Sequence, residues 1–315
     1  MTSTPKEIMF RCDAGSHIGG GHLIRCLAFA NALKAKDCNI SFLCNEQAWE
    51  FPALMNSSYK KVTEESLGQT HFDYIIFDHY GLDAMDEKTF RPYADKILVI
   101  DDLADRAHDC DMLVDFSPSR KAEDYDSLVP DHCQRFIGIK YLILRPEFFD
   151  RVERKIPIPP YKIFMTMGSI DGRDMLPPLL NYLEAQNEEL DIHVMMTCQT
   201  RTKKKVEDKA KHSKHNVTLH MDIKNPAPIM KDCDLAISAG GMTSLELVAL
   251  GIPTLVFIIA DNQRENAGFL SKNSYVKLIQ DIDKLNLTPI KTFIENSEFK
   301  TLNLNKTLKI VTEML

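Results

Sequence analysis

The stretch "RCDAGSHIGGGHLIRCLAFANAL" (Arg11–Leu33) sets a strand end, a glycine-rich loop and a helix start in succession, with His22 in the first helical turn. Backbone N–H groups at a helix start are unpaired and carry partial positive charge, so such a loop can cradle a phosphate. The same charge favours an uncharged imidazole, which could take a proton from water at neutral pH. Gly15, Gly19, Gly20 and Gly21 do not fall as GxGxxG, and no acid stands where a dinucleotide fingerprint needs one. A GxxxxGK[ST] motif is also missing from the sequence. Three readings of the loop stay open: a phosphate cradle, a tight turn whose histidine caps or packs the helix, and an active-site mouth with His22 as the base. His17, inside the loop, is a weaker candidate for the same role.

Two further segments have the form of anion sites. In "DLAISAGGMTSLELVALGIPTLVF" an apolar strand runs into Gly240 and Gly241, and a helix opens at Met242–Thr243. Free N–H groups there would face a phosphate, and Glu246, one turn in, could hold ribose hydroxyls. A plain strand–helix turn with Glu246 solvated fits the same letters. "MTMGSID" repeats the pattern, with Gly168 and Ser169 at a strand end and Asp171 and Gly172 next. Two such loops on one sheet edge favour a diphosphate. The polar strand end "FDHYG" (Phe77–Gly81) and the acidic run "DDLADRAHDCD" (Asp101–Asp111) complete the set. The acidic run has no zinc or EF-hand spacing and mixes hard with soft ligands, so a surface loop is expected there and no metal.

Positioning these residues takes an alternation of strands and helices. Apolar runs at "EIMFRCDA", "NISFLC", "FDYIIFDHYG", "KILVIDDL", "MLVDF" and "YLILRPEF" read as strands, with helices at 22–36 and 83–93 between them. Three prolines in "RKIPIPPYK" (Arg154–Lys162) break the pattern as a stiff linker. The alternation restarts with strands at "KIFMTMGS", "DIHVMMTC", "VTLHMD", "DLAISAGG" and "IPTLVFIIA", separated by helices near 175–185, 203–211, before Lys231–Asp232 and at 243–250. Buried apolar strands alternating with helices mean parallel sheets wrapped on both faces. The fold class expected is α/β, two Rossmann-like doubly wound domains, 1–155 and 156–315, facing across a cleft.

Composition narrows the functions. With 38 Lys and Arg against 45 Asp and Glu, the net charge of −7 argues against an extended nucleic-acid surface. The basic run "RTKKKVEDKAKH" reads as a solvated helix face. No apolar run approaches the roughly 18–20 residues that span a bilayer, and the start of the sequence lacks a secretory apolar region. Eight cysteines without a CxxC pair read as reduced thiols of a cytoplasmic protein.

Taken in order, "RCDAGSHIGGGHLIRCLAFANAL", "IIFDHYGLD", "VIDDLADRAHDCDMLVDF", "LILRPEF", "MTMGSID", "AISAGGMTSLELVALGIP" and "ADNQREN" resemble the UDP-2,4-diacetamido-2,4,6-trideoxy-β-L-altropyranose hydrolases of pseudaminic acid biosynthesis, from about residue 7 to 275. The glycine loop before Glu246 is shared with the wider group of two-domain GT-B glycosyltransferases. The resemblance implies release of UDP by water attack at the anomeric carbon, with C–O cleavage and inversion, no metal and no cofactor. The freed sugar goes on to pseudaminic acid, a nonulosonate of flagellin and surface glycans. It implies His22 as the catalytic residue, and Tyr80 and Asn262 near the sugar. Glu246 falls on the acid that binds the uridine ribose. Asp13, Gly21, Gly168, Ser169, Gly240, Gly241, Thr243 and Gln263 join the expected substrate-binding set. Ser169 stands where a glycine is usual, and Gly240–Gly241 where some members carry Ser. The expected partner is the UDP-sugar alone, bound by a monomer, with neither nucleic acid nor membrane insertion. A GT-B glycosyltransferase using a UDP-amino sugar donor and a non-catalytic nucleotide-sugar-binding subunit are the alternatives.

Overall fold

A computed structural model describes residues 4–315 apart from 16, 17, 19, 154, 155, 169, 288, 289, 297, 303 and 305–307. His17 and Ser169 therefore lie outside the described residues. The chain divides into two compact units, Met1–Pro146 with Asn305–Leu315, and Glu147–Leu304.

The first unit runs β1 (Glu7–Cys12), α1 (Gly21–Lys34), β2 (Asn39–Leu43), α2 (Glu46–Trp49), α3 (Pro52–Met55), β3 (Lys60–Lys61), β4 (Phe72–Asp78), α4 (Ala84–Phe90), β5 (Ala94–Ile100), β6 (Met112–Asp115) and β7 (Gln134–Ile137). Its seven strands are ordered β3-β2-β1-β4-β5-β6-β7, and every pairing is parallel. The central strands are apolar on both faces because helices cover both. Ile8, Met9, Phe10, Ile75, Ile76, Ile97 and Leu98 are fully buried. Helix α1 presents Leu23, Cys26, Ala30 and Leu33 to this sheet at helical spacing, all fully buried.

The second unit runs β8 (Tyr161–Thr166), α5 (Leu176–Glu184), β9 (Leu190–Met196), α6 (Lys203–His212), β10 (Asn216–Met221), α7 (Ala227–Lys231), β11 (Leu235–Ala239), α8 (Met242–Leu250), β12 (Thr254–Phe257), α9 (Arg264–Lys272), β13 (Lys277–Ile279) and α10 (Ile290–Asn296). Its six parallel strands are ordered β10-β9-β8-β11-β12-β13. In both sheets the order reverses next to the first strand, at β1/β4 and at β8/β11. In open α/β sheets ligands bind outside the carboxyl ends of the strands at such a switch point. The loops after β1 and β4, and those after β8 and β11, are thus the places to look.

The units differ from 1–155 and 156–315. Helix α11 (Lys309–Met314) packs on the first unit, where the Met314 carbonyl accepts from the buried Tyr74 hydroxyl at 2.9 Å and from Lys6 Nζ at 3.4 Å. "YLILRPEF" is no strand: Tyr141–Leu144 are buried but irregular, and the last strand of the sheet is the less apolar Gln134–Ile137. Between them Gly138, at φ +98°, turns the chain out of the sheet. The helix expected over 83–93 is α4, capped by Asp83, whose side chain accepts from Met85 N at 2.8 Å; Pro92 tightens its end into a 3₁₀ turn.

Candidate functional site

β1 and β4 pair so that Cys12 stands opposite Asp78, which brings the loop after β1 beside the end of β4. Asp78 is fully buried and accepts from His22 Nδ1 at 2.5 Å, Arg25 Nη2 at 2.5 Å, Arg25 Nε at 2.6 Å and the Cys26 thiol at 3.5 Å. His22, Arg25 and Cys26 fall on one side of α1, three and four residues apart. An anionic acceptor at Nδ1 places the hydrogen there, so Nε2 carries the lone pair. Nε2 has no bonded partner among the described residues, and the ring is only 7% exposed. Burial pushes the Asp78 carboxyl up, but the charge and bonds of Arg25, and then His22, outweigh it and hold Asp78 well below the usual carboxylate range.

Arg25 also reaches Asp102 Oδ2 with Nη1 at 3.0 Å, and its guanidinium lies 5.1 Å from the Phe116 ring centre. The Asp102 charge also acts on the nearby Tyr80 phenol. The Tyr80 ring meets His22 edge to face at 4.3 Å between ring centres. Burial and then the Asp102 charge push the Tyr80 hydroxyl far up, so it stays protonated at neutral pH. His22, Asp78, Arg25, Asp102 and Tyr80 form one connected set, with Nε2 of His22 as its outward base.

Asp13 has a different place. Its oxygens accept from Arg11 Nη1 at 2.6 Å, Arg11 Nη2 at 3.2 Å, Asn45 N at 2.8 Å and His79 Nε2 at 3.1 Å. It braces the ends of β1, β2 and β4. The glycines also separate by role. A Cβ on Gly20 would lie 2.8 Å from Phe51 Cε1, whereas one on Gly21 meets nothing within 4 Å. A side chain at Gly20 would press on the Phe51 ring, and Gly21 leaves open space beside His22.

In the second unit Gly168 has φ +74°, a left-handed conformation that suits glycine, and a Cβ there would meet nothing. The buried Asp171 accepts from Met175 N at 2.8 Å and Leu176 N at 3.0 Å, and so caps α5. Gly240 N donates to Phe257 O at 3.1 Å and to Gln263 Oε1 at 3.2 Å. Gln263 Oε1 also takes Ile259 N at 3.1 Å, so this side chain ties two loops of its own unit together. A Cβ on Gly240 would stand 3.3 Å from Ala267, Gln263 and Val256. Gly241, Thr243 and Glu246 are half-buried at the start of α8, and Asn262 is exposed. Ser244 N donates to Gly241 O at 3.0 Å, which closes the first turn of the helix.

Sequence reasoning missed Asp78, Arg25 and Asp102. The signal for Asp78 was an apolar run ending in a carboxylate at a sheet's carboxyl edge; for Arg25 it was a cation one helical turn after His22. The acidic run is no surface loop. Asp101, His108 and Cys110 are buried, and His108 Nδ1 meets the buried Glu87 at 2.7 Å. Among the described residues no group of three or more His, Cys, Asp or Glu could hold a metal. Nor is any helix there long and apolar enough to cross a membrane.

Two parallel, doubly wound sheets of this kind define the GT-B class. Acinetobacter baumannii MurG, a solved structure, shares the fold with a TM-score of 0.62 at 16% identity, over 98% of this chain and 99% of that one. Residues 163–309 match the family described as Glycosyltransferase family 28 C-terminal domain. More particularly, the chain is similar to the UDP-2,4-diacetamido-2,4,6-trideoxy-beta-L-altropyranose hydrolase of Campylobacter jejuni. The two are 28% identical over 85% of this chain and 97% of the relative. It is also 22% identical, over 91% of its length, to the pseudaminic acid cytidylyltransferase and UDP-2,4-diacetamido-2,4,6-trideoxy-beta-L-altropyranose hydrolase of Helicobacter pylori, of which it spans about half (52%).

Proposed function

We propose that the protein hydrolyses UDP-2,4-diacetamido-2,4,6-trideoxy-β-L-altropyranose to UDP and the free sugar, for pseudaminic acid biosynthesis. The observation that carries this reading is the His22–Asp78 pair, with Nδ1 bound at 2.5 Å and Nε2 unpartnered. Water bonded to Nε2 gives up a proton to it and attacks the anomeric carbon. The C–O bond to the β-phosphate breaks, and the electron pair leaves with UDP. Asp78 steadies the imidazolium as it forms, and a base so held contributes about 10²–10⁴-fold in rate. Tyr80, whose ring meets His22, contacts the sugar. In the second unit Gly168, Gly241 and Thr243 offer donors to the diphosphate, whose growing charge they stabilise, and Glu246 takes the ribose.

Support comes from the hydrolase activity for which the two relatives are named and from an aspartate-paired histidine at a topological switch point. The test is hydrolysis in ¹⁸O-water. Label in the sugar and none in UDP is expected, with the inverted anomer formed first. Label in the β-phosphate would refute attack at carbon. The second reading, transfer of a UDP-amino sugar to an acceptor, is favoured by the family 28 match and the MurG likeness. UDP release that needs an added acceptor would decide for it.

A further inference from the structure

Tyr80 presses its ring edge on His22, yet it sits on an exposed turn and is itself 43% exposed. Something has to hold that turn. Arg106, from the acidic run, donates through Nη2 to His79 O at 2.9 Å and through Nε to Leu82 O at 2.9 Å. The two carbonyls bracket Tyr80 in the chain, so a single planar guanidinium clamps both ends of the turn. The third nitrogen, Nη1, donates to the exposed Asp105 Oδ1 at 3.1 Å and lies 3.0 Å from the buried Asp101 Oδ1, an ion pair without hydrogen-bond alignment.

Asp101 is a rigid anchor for this clamp. It is 1% exposed, and its Oδ2 accepts from the Tyr125 hydroxyl at 2.8 Å and from Ala104 N at 2.8 Å. Tyr125 is fully buried, and its hydroxyl oxygen also lies 2.9 Å from Asp115 Oδ2, so the two carboxylates share its one hydrogen. A second tie, Ala84 N to Ala107 O at 3.0 Å, fastens the far side of the turn to the same segment. Asp101 is followed directly by Asp102, which accepts from Arg25 Nη1 at 3.0 Å. The turn and the carboxylate that pairs with Arg25 therefore share one support.

We propose that Arg106 is a positioning residue that fixes Tyr80 against His22 by clamping the 79–82 turn to Asp101. The catalytic consequence rests on the hydrolase reading; the positioning does not. Arg106 touches no reacting atom, so its effect on turnover passes through Tyr80.

Two measurements test this. In protein carrying 3-fluorotyrosine at its nine tyrosines, the ¹⁹F signal of Tyr80, assigned by its loss in Tyr80→Phe, should shift in substrate-free Arg106→Gln while the other signals stay. Arg106→Lys, which keeps the charge but not the fork, should move it in the same direction by less. An unmoved Tyr80 signal would overturn the proposal, as would collapse of all the signals in both variants, which would make Arg106 a residue of the fold at large. For UDP release, Arg106→Gln should lower kcat about 10–100-fold, the size expected when an aligned group is displaced by about 1 Å. KM should change less than kcat, and Tyr80→Ala should add little on top. Fully multiplicative losses in the double variant would refute action through Tyr80. If the wild type releases no UDP, the hydrolase reading fails while the ¹⁹F result still decides the clamp.

Discussion

Replacing Asp78 by Asn keeps the shape of the side chain and removes the charge on which His22 depends. In the native site both carboxylate oxygens face N–H donors: Oδ1 takes His22 Nδ1 and Arg25 Nη2, and Oδ2 takes Arg25 Nε. An amide has one acceptor, so whichever way it turns, its NH₂ opposes an N–H of Arg25. If the NH₂ faces His22, Nδ1 must accept, the hydrogen moves to Nε2, and the outward lone pair is lost. A mis-set tautomer in an Asp–His pair costs about 10⁴-fold, and loss of a general base about 10²–10⁴-fold. We therefore expect kcat for UDP release to fall at least 10²-fold, close to that of His22→Asn. Removing one partner of a buried ion pair costs about 3–5 kcal/mol. Arg25 is 6% exposed but keeps Asp102 at 3.0 Å, so the lower end, about 3 kcal/mol, applies. At about 2–4 °C per kcal/mol for a unit of this size, Tm should fall by about 6–12 °C. Stopped-flow UDP detection and calorimetry on the same preparation read both effects. A variant that melts this much lower yet keeps kcat within threefold of wild type would reduce the His22–Asp78 contact to a structural one and remove the base from the mechanism.

The other predictions are simpler. His22→Asn should retain UDP affinity in titration calorimetry while turnover drops at least 10²-fold; a parallel loss of UDP binding would place His22 in nucleotide recognition instead. Asp78 and Asp13 both titrate low in the fold, since Arg25 in one case and His79 and Arg11 in the other outweigh burial. Their folded values lie below the unfolded value of about 3.9, so their stabilisation is complete above about pH 5 and is lost as pH falls through about 4 towards the folded values. Urea midpoints should drop from pH 6 to pH 3, and the drop should be smaller in Asp78→Asn; equal drops would exclude Asp78 as a source. Gly240→Ala, crowded at 3.3 Å by three side chains, should destabilise by about 1–3 kcal/mol. Gly241→Ala, with its nearest neighbour at 3.9 Å, should leave Tm within a degree or two and weaken UDP binding. The reverse pattern would exchange their roles.

Most of the architecture was legible because periodicity reports burial, and parallel strands buried on both faces read as unbroken apolar runs. The same property misled at Tyr141–Leu144, whose burial is real but whose backbone pairs with no strand. His22 stood out through its glycines and its helix start. Its partners did not, because the contact with Asp78 is made by the β1–β4 register, across 56 residues of sequence. Charges in a sequence arrive without their pairings. The run Asp101–Asp111 read as solvated, whereas Arg106, Glu87 and Tyr125 from other segments allow Asp101 and His108 to be buried. At Gly240 the letters matched an anion loop, and only coordinates show that its N–H is already bonded within the unit, to Gln263.

The return of α11 to the first unit has a consequence for biosynthesis. Tyr74 receives its partner from Met314, on the far side of the whole second unit in the chain. At about 5–20 residues per second, the ribosome makes residues 309–314 roughly 10–30 s after the last strand-bearing part of the first unit has emerged. Throughout that interval the first unit carries an uncovered surface, although its sheet is complete. The second unit, continuous from Glu147 to Leu304, has no such wait. The half made first is therefore the half finished last.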